Sequence, residues 1–400
     1  MTSTEIAVVG GGLVGLTAAL LLSDAGFSVV IIDPVTALPV RDDPYDLRTY
    51  ALTSTSRQIF SNLGVWSALD HGRIAPFSDM QVWDGARGGE LTFPADLIPG
   101  TLALGYIVEH SNLLNAVQQV VQAQSRISGL GGQVTAITEG RESSTIHLGG
   151  RELRAKLILG CDGGDSPLRR LCGIACVEHD YAQHAVVANV TTVIEHANVA
   201  RQRFLAEGPL AFLPLPPADL SSVVWTMSAE YAAWVQRCSD DEFCAALSAA
   251  FENRLGAVTA TSRRLIFPLR RRHAADYSRG RVALLGDAAH VIHPLAGQGL
   301  NLGLRDAVTI AELVGAAPRA SLNHPQTLLR RYARTRRGEN LAMLLLTDQL
   351  NRIFAVRAPW FTWLRHTGLV GLNHLQGIKA ELVAHAMGRR GELPPSVRDL

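Results

Sequence analysis

Three features of this 400-residue sequence predict an α/β fold, α+β overall. A short apolar run, a glycine-rich turn, a helical run and a second apolar run follow one another within the first 33 residues. Two later apolar runs, at 157–160 and 281–285, also end in turns of glycine and aspartate. Separate strand-like runs at 185–190 and 223–227 point to a second sheet. With 47% of residues hydrophobic and 18% charged, the chain can bury a large core, which excludes a disordered protein. The formal charge of +1 gives no reason to expect a nucleic-acid partner. The basic residues are 35 Arg against 2 Lys, a bias that carries no mechanism. Five cysteines, at 161, 172, 176, 238 and 244, form no CxxC pair and no cluster with metal-ligand histidine spacing. Reduced thiols in a cytoplasmic protein without a metal site fit that pattern better than a disulfide framework.

Residues 6–23 are uncharged, which raises the question of a membrane segment or signal peptide. Glu5 precedes the run and three glycines interrupt it, so a buried strand, a turn and a helix is the better reading. Residues 6–9 are the apolar type buried on both faces of a parallel sheet. Gly10-Gly11-Gly12-Leu13-Val14-Gly15 then matches GxGxxG, and a helical run continues until Gly26. A second strand over 29–32 ends at Asp33, 18 residues past Gly15, with Pro34 stopping it. Gly10 suits the tight turn, Gly12 the approach of backbone to a pyrophosphate, and Gly15 the close packing of helix on strand. The Asp33 carboxylate is placed to accept from ribose hydroxyls. This order of elements makes a Rossmann-like dinucleotide site, though the motif does not separate FAD from NAD.

The strand at 281–285 leads into Gly286-Asp287, then through His290, His293 and Pro294 into Gly297-Gln298-Gly299-Leu300-Asn301. Beyond Gly299 the apolar spacing is helical through Val314, so a glycine-rich loop again feeds a helix N-terminus with its N–H groups and partial positive charge. The run 157–160 leads similarly through Cys161 into Asp162-Gly163.

These three signatures in this order resemble the flavoprotein aromatic hydroxylases related to p-hydroxybenzoate hydroxylase. The stretch from His293 through Pro294, Gly297-Gln298-Gly299 and Asn301 to Gly303 is similar to the signature of the ubiquinone-biosynthesis hydroxylases within that group. Arg48-Thr49-Tyr50-Ala51-Leu52, Leu63-Gly64-Val65-Trp66, Gln202-Arg203-Phe204 with Gly208-Pro209, and the tail from Arg337 to Gly388 match the same branch, so the resemblance spans nearly the whole chain. It implies that Gly10, Gly12, Gly15 and Asp33 hold the ADP half of FAD. Arg48 matches an arginine that reaches the flavin or its phosphates, and Gly286-Asp287 the acid turn beside the ribityl chain. Pro294, Gly297, Gln298, Gly299, Leu300 and Asn301 match the turn along the isoalloxazine, and Asp162 a motif implicated in FAD and NAD(P)H contact. Cys161 stands where alanine is commoner, and Gly164-Asp165 vary within the turn.

The implied activity is an FAD-dependent monooxygenase that uses NAD(P)H and O2 to hydroxylate a polyprenylated phenol. In that family O2 adds at flavin C4a and the hydroperoxide attacks an electron-rich ring, so the cofactor carries the hard steps. No general acid or base is assigned; His290 and His293 invite a proton relay but are read as structural residues. Cys172 and Cys176 are read as core-lining, not as a redox pair. A soluble-phenol hydroxylase, a related flavoprotein reductase of prenyl double bonds and a non-catalytic assembly subunit are the competing readings.

The resemblance divides the chain into an FAD-binding domain over 1–70, 100–178 and 270–340, a substrate-binding sheet domain over 71–99 and 179–269, and a helical tail over 341–400. From Arg330 onward there are twelve basic and five acidic residues, a net of +7, interleaved with Leu, Phe and Trp. That pattern fits a tail packed on the FAD domain, a subunit contact, or peripheral contact with the inner face of the cytoplasmic membrane, within a possible ubiquinone-biosynthesis complex.

Overall fold

The computed structural model describes residues 2–34, 45–85, 89–293, 297–356, 358, 366–367, 371 and 375–387. Its first sheet is built on five parallel strands, in spatial order Val282–Leu284, Arg151–Gly160, Thr2–Val9, Val29–Asp33 and Ile127–Gly131. Their apolar runs are buried on both faces, Ile6, Ala7, Val8, Leu157, Ile158 and Leu159 being wholly inaccessible, as a helix-covered parallel sheet requires. The helix Leu13–Asp24 is buried nearly all round because it lies between this sheet and the helix Gly299–Gly315. An antiparallel hairpin turns at Gly149 and Gly150, both with positive φ, joining Ser144–Leu148 to Arg151–Gly160.

The second sheet is mostly antiparallel. Its central neighbours are Leu265–Ala274, Cys176–Thr192, Leu220–Ser228, Gly208–Pro214 and Val199–Leu205, and Asp79–Asp84 extends it in parallel. Leu265–Ala274 runs past 270 and Cys176–Thr192 starts before 179, because the two strands pair continuously apart from a bulge between Asp180 and His184. This sheet therefore overruns both limits expected for it from sequence. One face is closed: Val186, Ala188, Val223, Trp225 and Met227 pack with Phe243 and Leu247 from the helix Asp240–Ala250. A small third sheet, Thr49–Thr53, Gly105–Glu109 and Ile74–Phe77, lies between the two large ones. The long helix Gln326–Ala355 packs along the helix Gly299–Gly315 and reaches the second sheet, where Phe354 stacks on Phe204 with ring centroids 3.6 Å apart.

Candidate cofactor and active site

The first glycine turn is demanded by packing. Gly10 has φ +109°, and a Cβ there would stand 2.2 Å from the Cys161 carbonyl oxygen. A Cβ on Gly15 would stand 2.1 Å from the carbonyl oxygen of Gly10, so only glycine lets the helix sit this close to the strand end. Gly12 differs. A Cβ there would meet nothing within 4 Å, so no protein atom accounts for glycine at this position. It is the N-cap of the helix Leu13–Asp24 and supplies no capping side chain, whereas Thr53, Ser166, Ser228 and Ser239 each cap the helix they precede. Asp33, at the end of its strand, accepts the Gly11 N–H at 2.5 Å and so fixes the turn as well as facing it.

The Gly286–Ala288 turn is held from behind by a buried carboxylate. Asp306 accepts from the Gly286 N–H at 3.0 Å, His290 Nε2 at 2.7 Å, Arg336 Nε at 2.7 Å and Asn340 Nδ2 at 3.1 Å. Although burial raises its pKa, the His290 and Arg336 charges and hydrogen bonds outweigh that and keep this carboxyl well below the usual range. Asp287 projects outward, the one exposed side chain between Arg281 and His290. Val14, Gly286 and Gly303 meet at one point: a Cβ on Gly303 would lie 2.7 Å from Val14 Cγ2, and one on Gly286 3.2 Å from the same atom.

The loop that enters the helix Gly299–Gly315 is tied to the strand Thr49–Thr53. Gly297 has φ +58°, and a Cβ on it would touch Ala51 Cβ at 3.2 Å. The Asn301 amide accepts from the Thr53 N–H and Ser56 Oγ and donates to the carbonyls of Ala51 and Gly297, at 3.1, 2.7, 2.9 and 3.1 Å. Those are all the hydrogen bonds a carboxamide ordinarily makes, so only backbone at Asn301 remains for a ligand. Gln298 occupies the N-cap without a side-chain cap bond, leaving first-turn N–H groups to face the loop, and Leu300 packs against the core. Pro294 lies outside the described residues. Arg48 is exposed, 5.5 Å from the Tyr50 ring centroid, and Tyr50 Oη lies 3.0 Å from His110 Nδ1. Burial pushes the Tyr50 phenol up to about 12; Arg48 pulls it down while Asp287 and Asp46 push it up. Arg48 and Asp287 thus act on one phenol from two different loops.

A family model described as an FAD binding domain matches residues 3–343. The chain is 34% identical to the 3-demethoxyubiquinol 3-hydroxylase of Escherichia coli, covering 96% of this chain and 98% of that one. It is 33% identical to the ubiquinone hydroxylase UbiL of Rhodospirillum rubrum, covering 98% and 91% of the two chains. The chain belongs to the FAD-dependent aromatic hydroxylases, in their ubiquinone-biosynthesis branch. The solved p-nitrophenol 4-monooxygenase PnpA of Pseudomonas putida shares the fold at 20% identity, with a TM-score of 0.78 over 98% of this chain and all of that one. PqsL of Pseudomonas aeruginosa does so at 21% identity, with a TM-score of 0.75 over 92% and 99%.

The flavoprotein's motif residues fit FAD on geometric grounds. Open space before Gly12, an exposed Asp287 in a buried run, and two helix starts without side-chain caps make a cradle for an anionic dinucleotide. Asp162 is also engaged within its own loop. Its carboxylate accepts from Ser166 Oγ at 2.5 Å and the Leu168 N–H at 2.8 Å, and so orders its own turn. The buried Arg169 then ties that turn to the Gly-Asp turn, donating to the carbonyls of Gly164 and Ala288 at 2.9 and 2.7 Å. His290 is structural, held by Asp306. His293 is buried with neither ring nitrogen hydrogen-bonded, against the edge of the Tyr181 ring at 5.0 Å, and burial pushes it down to about 4.

Sequence reasoning missed Asp306, Arg336, Asn340 and Arg169, none of which faces the cradle. It also missed the open face of the second sheet. Strand register puts Ala185, Val187, Ala211, Leu213, Val224, Leu265 and Phe267 on the face opposite the helix-covered core. Leu265 and Phe267 remain 38% and 42% exposed there. Asn189 Nδ2 donates to the Tyr45 carbonyl at 3.3 Å, and Ser222 Oγ lies 3.2 Å from Thr49 Oγ1, so this face adjoins the strand that Asn301 binds to the loop.

Proposed function

We propose that this flavoprotein hydroxylates the aromatic ring of a polyprenylated phenol, with O2 and NAD(P)H as co-substrates. The observation that carries the reading is the uncharged sheet face that runs through Ala185, Val187 and Val224 to the part-exposed Leu265 and Phe267, next to the strand Thr49–Thr53 and the 297–301 loop. Burying a long isoprenoid against such a face yields roughly 25 cal/mol per Å² of apolar surface, which a small soluble phenol would not exploit. The names of the curated relatives, a demethoxyubiquinol and a ubiquinone hydroxylase, support the same substrate class.

Bound FAD supplies the redox chemistry, taking up reducing equivalents from the nicotinamide and activating O2. The chain's own residues do the rest. Gly10, Gly12 and Gly15 would form the pyrophosphate turn, Asp33 and Asp287 would accept from hydroxyls of the cofactor, and Arg48 would offset its negative charge. N–H groups at Gly299, Leu300 and Asn301 stabilise negative charge where the loop faces the flavin ring, without reorganisation. The apolar sheet face keeps water from the reacting ring. Such a substrate resides in lipid, and no helix among the described residues is long and apolar enough to cross a membrane, so the enzyme meets the bilayer from its surface.

The test is O2 uptake by the FAD-loaded protein with NAD(P)H, with and without a short-chain prenylphenol, while hydroxylated product is monitored. Uptake stimulated by the phenol and matched by product is expected. Reduction of a prenyl double bond without O2 uptake would move the assignment to a reductase. Stimulation by small anionic phenols alone would move it to a soluble-phenol hydroxylase.

A further inference from the structure

Outside the cofactor site, the helix Gln326–Ala355 and residues Asp276, Tyr277 and Ser278 enclose a surface groove of about 460 Å³. Arg330, Arg334 and Arg337 line it, with Leu341 at its end. Spacings of four, three and four residues put all of them on one helical face. All three arginines are exposed, and none forms an ion pair among the described residues; the one hydrogen bond they make is a long one from Arg330 Nη2 to Thr327 Oγ1, at 3.4 Å. The same helix does pair its inward arginine, Arg336, with Asp306 and Glu339. Three guanidinium charges and the single Asp276 carboxylate leave the groove at 3 − 1 = +2. The helix also begins without a side-chain cap and without an acid in its first turn, so its positive dipole end adds to Arg330, the groove arginine nearest that end. Like charges three and four residues apart on one helical face disfavour the folded chain unless an anion meets them.

The leucines of the next turns indicate the chemistry of that anion. Leu341 and Leu345, four and eight residues beyond Arg337 on the same helical face, are 37% and 47% exposed. A phosphate with apolar chains attached matches this order of charge and hydrocarbon, and a free phosphate matches only half of it.

We propose that the groove lined by Arg330, Arg334 and Arg337 takes the phosphate head group of an anionic phospholipid, with Leu341 and Leu345 lying at the acyl boundary. This deepens the reading of a lipid-borne substrate and rests on it for its purpose, since it names the surface by which the enzyme reaches that lipid. The binding itself does not depend on catalysis.

The experiment is sedimentation of the FAD-loaded full chain with vesicles of phosphatidylcholine alone or with phosphatidylglycerol, beside the R330Q/R334Q/R337Q and L341S/L345S variants. Partition onto the anionic vesicles should exceed that onto neutral ones. The triple arginine variant should lose about a hundredfold of it, at about one kcal/mol for each basic residue at the surface. The leucine variant should bind more weakly at every composition, and raised salt should weaken the wild type and the leucine variant but have little effect on the arginine variant. Turnover of a short-chain prenylphenol in solution should be unchanged in the arginine variant, because the groove lies outside the active site. Equal binding of wild type and arginine variant, or equal binding to neutral and anionic vesicles, overturns the proposal. Occupation of the groove by inorganic phosphate without vesicle binding overturns the lipid source. A protein that binds anionic vesicles through these arginines yet hydroxylates no phenol would instead remove the substrate reading and leave the lipid site standing.

Discussion

The helices Leu13–Asp24 and Gly299–Gly315 both open at glycine loops and both present first-turn N–H groups without a side-chain cap, yet they are positioned by opposite means. The first is set by steric contact of backbone with backbone, at Gly10 against Cys161 and at Gly15 against Gly10. The second is set by side-chain hydrogen bonds, through Asn301 to the strand Thr49–Thr53 and through Asp306 to the Gly286–Ala288 turn. They meet where Val14 touches Gly286 and Gly303. Two loops of similar composition thus have different weak points: a glycine in the first, and a polar side chain inside the adjoining helix in the second.

The sharpest break in that comparison is a methyl group in the first loop. Gly15→Ala places a Cβ where 2.1 Å is available, and Gly10→Ala where 2.2 Å is, with φ also unfavourable for alanine. Neither variant is expected to be recovered as folded, yellow protein. Gly12→Ala is the control: its Cβ meets no protein atom, so the melting temperature should hold while FAD affinity falls by about tenfold or more, read by flavin fluorescence. Equal behaviour of Gly12→Ala and Gly15→Ala would refute the division between packing and ligand glycines.

In the second loop the large effect should come from Asp306. Asp306→Ala leaves Arg336 and His290 buried without their carboxylate, a change that costs about 3–5 kcal/mol in urea unfolding. FAD should also bind more weakly to this variant, because Gly286 loses the partner of its N–H. Asn301→Ala is expected to cost less, about 2–3 kcal/mol, since it strands neutral partners and no charge. A loss from Asn301→Ala larger than that from Asp306→Ala would reverse the order of the two anchors.

The smallest effect separates the buried histidines from the buried carboxylate by pH. Burial holds His273 and His293 near 4, below the value of an unfolded histidine, so the unfolded chain binds protons first as pH falls. Their contribution is complete above about pH 6.5 and is lost as pH drops toward about 4, which amounts to roughly 1 kcal/mol each between about pH 7 and about pH 5.5. Asp306, with its pKa lowered, gives up its contribution only in stronger acid. His293→Phe should flatten the shallower part of the stability profile and leave the steep acid limb in place.

The strands at 6–9 and 29–32, the turn of residues 10–15 and the loop feeding Gly299 were legible because their signals are local. An apolar run buried on both faces, a glycine required by φ or by a close approach, and a helical period each appear within a few residues. Asp33 was found by its distance from Gly15 and Asp287 by the Gly-Asp motif; Asp33 accepts the Gly11 N–H and Asp287 is the exposed side chain of its turn. Asp162 was found by motif, but that its carboxylate also accepts from Ser166 and the Leu168 N–H and so orders its own turn was not legible there.

Sequence alone therefore determined the order of strands, glycine turns and helices and pointed to the candidate cofactor loops, since these depend on backbone conformation and short-range period. Only the tertiary structure decided what holds the loops in place: Asp306 reaches Arg336 and Asn340 across two helices, and nothing in the spacing of 30 and 34 residues announces that contact. The same holds for the two faces of the second sheet. Val186 and Val187, or Val223 and Val224, are identical residues on opposite sides of one strand, one packed under the helix Asp240–Ala250 and the other on the face toward the strand Thr49–Thr53. Alternation divides a strand into two sides, but which side is covered depends on where distant helices dock, and that is set by the packing of the whole chain.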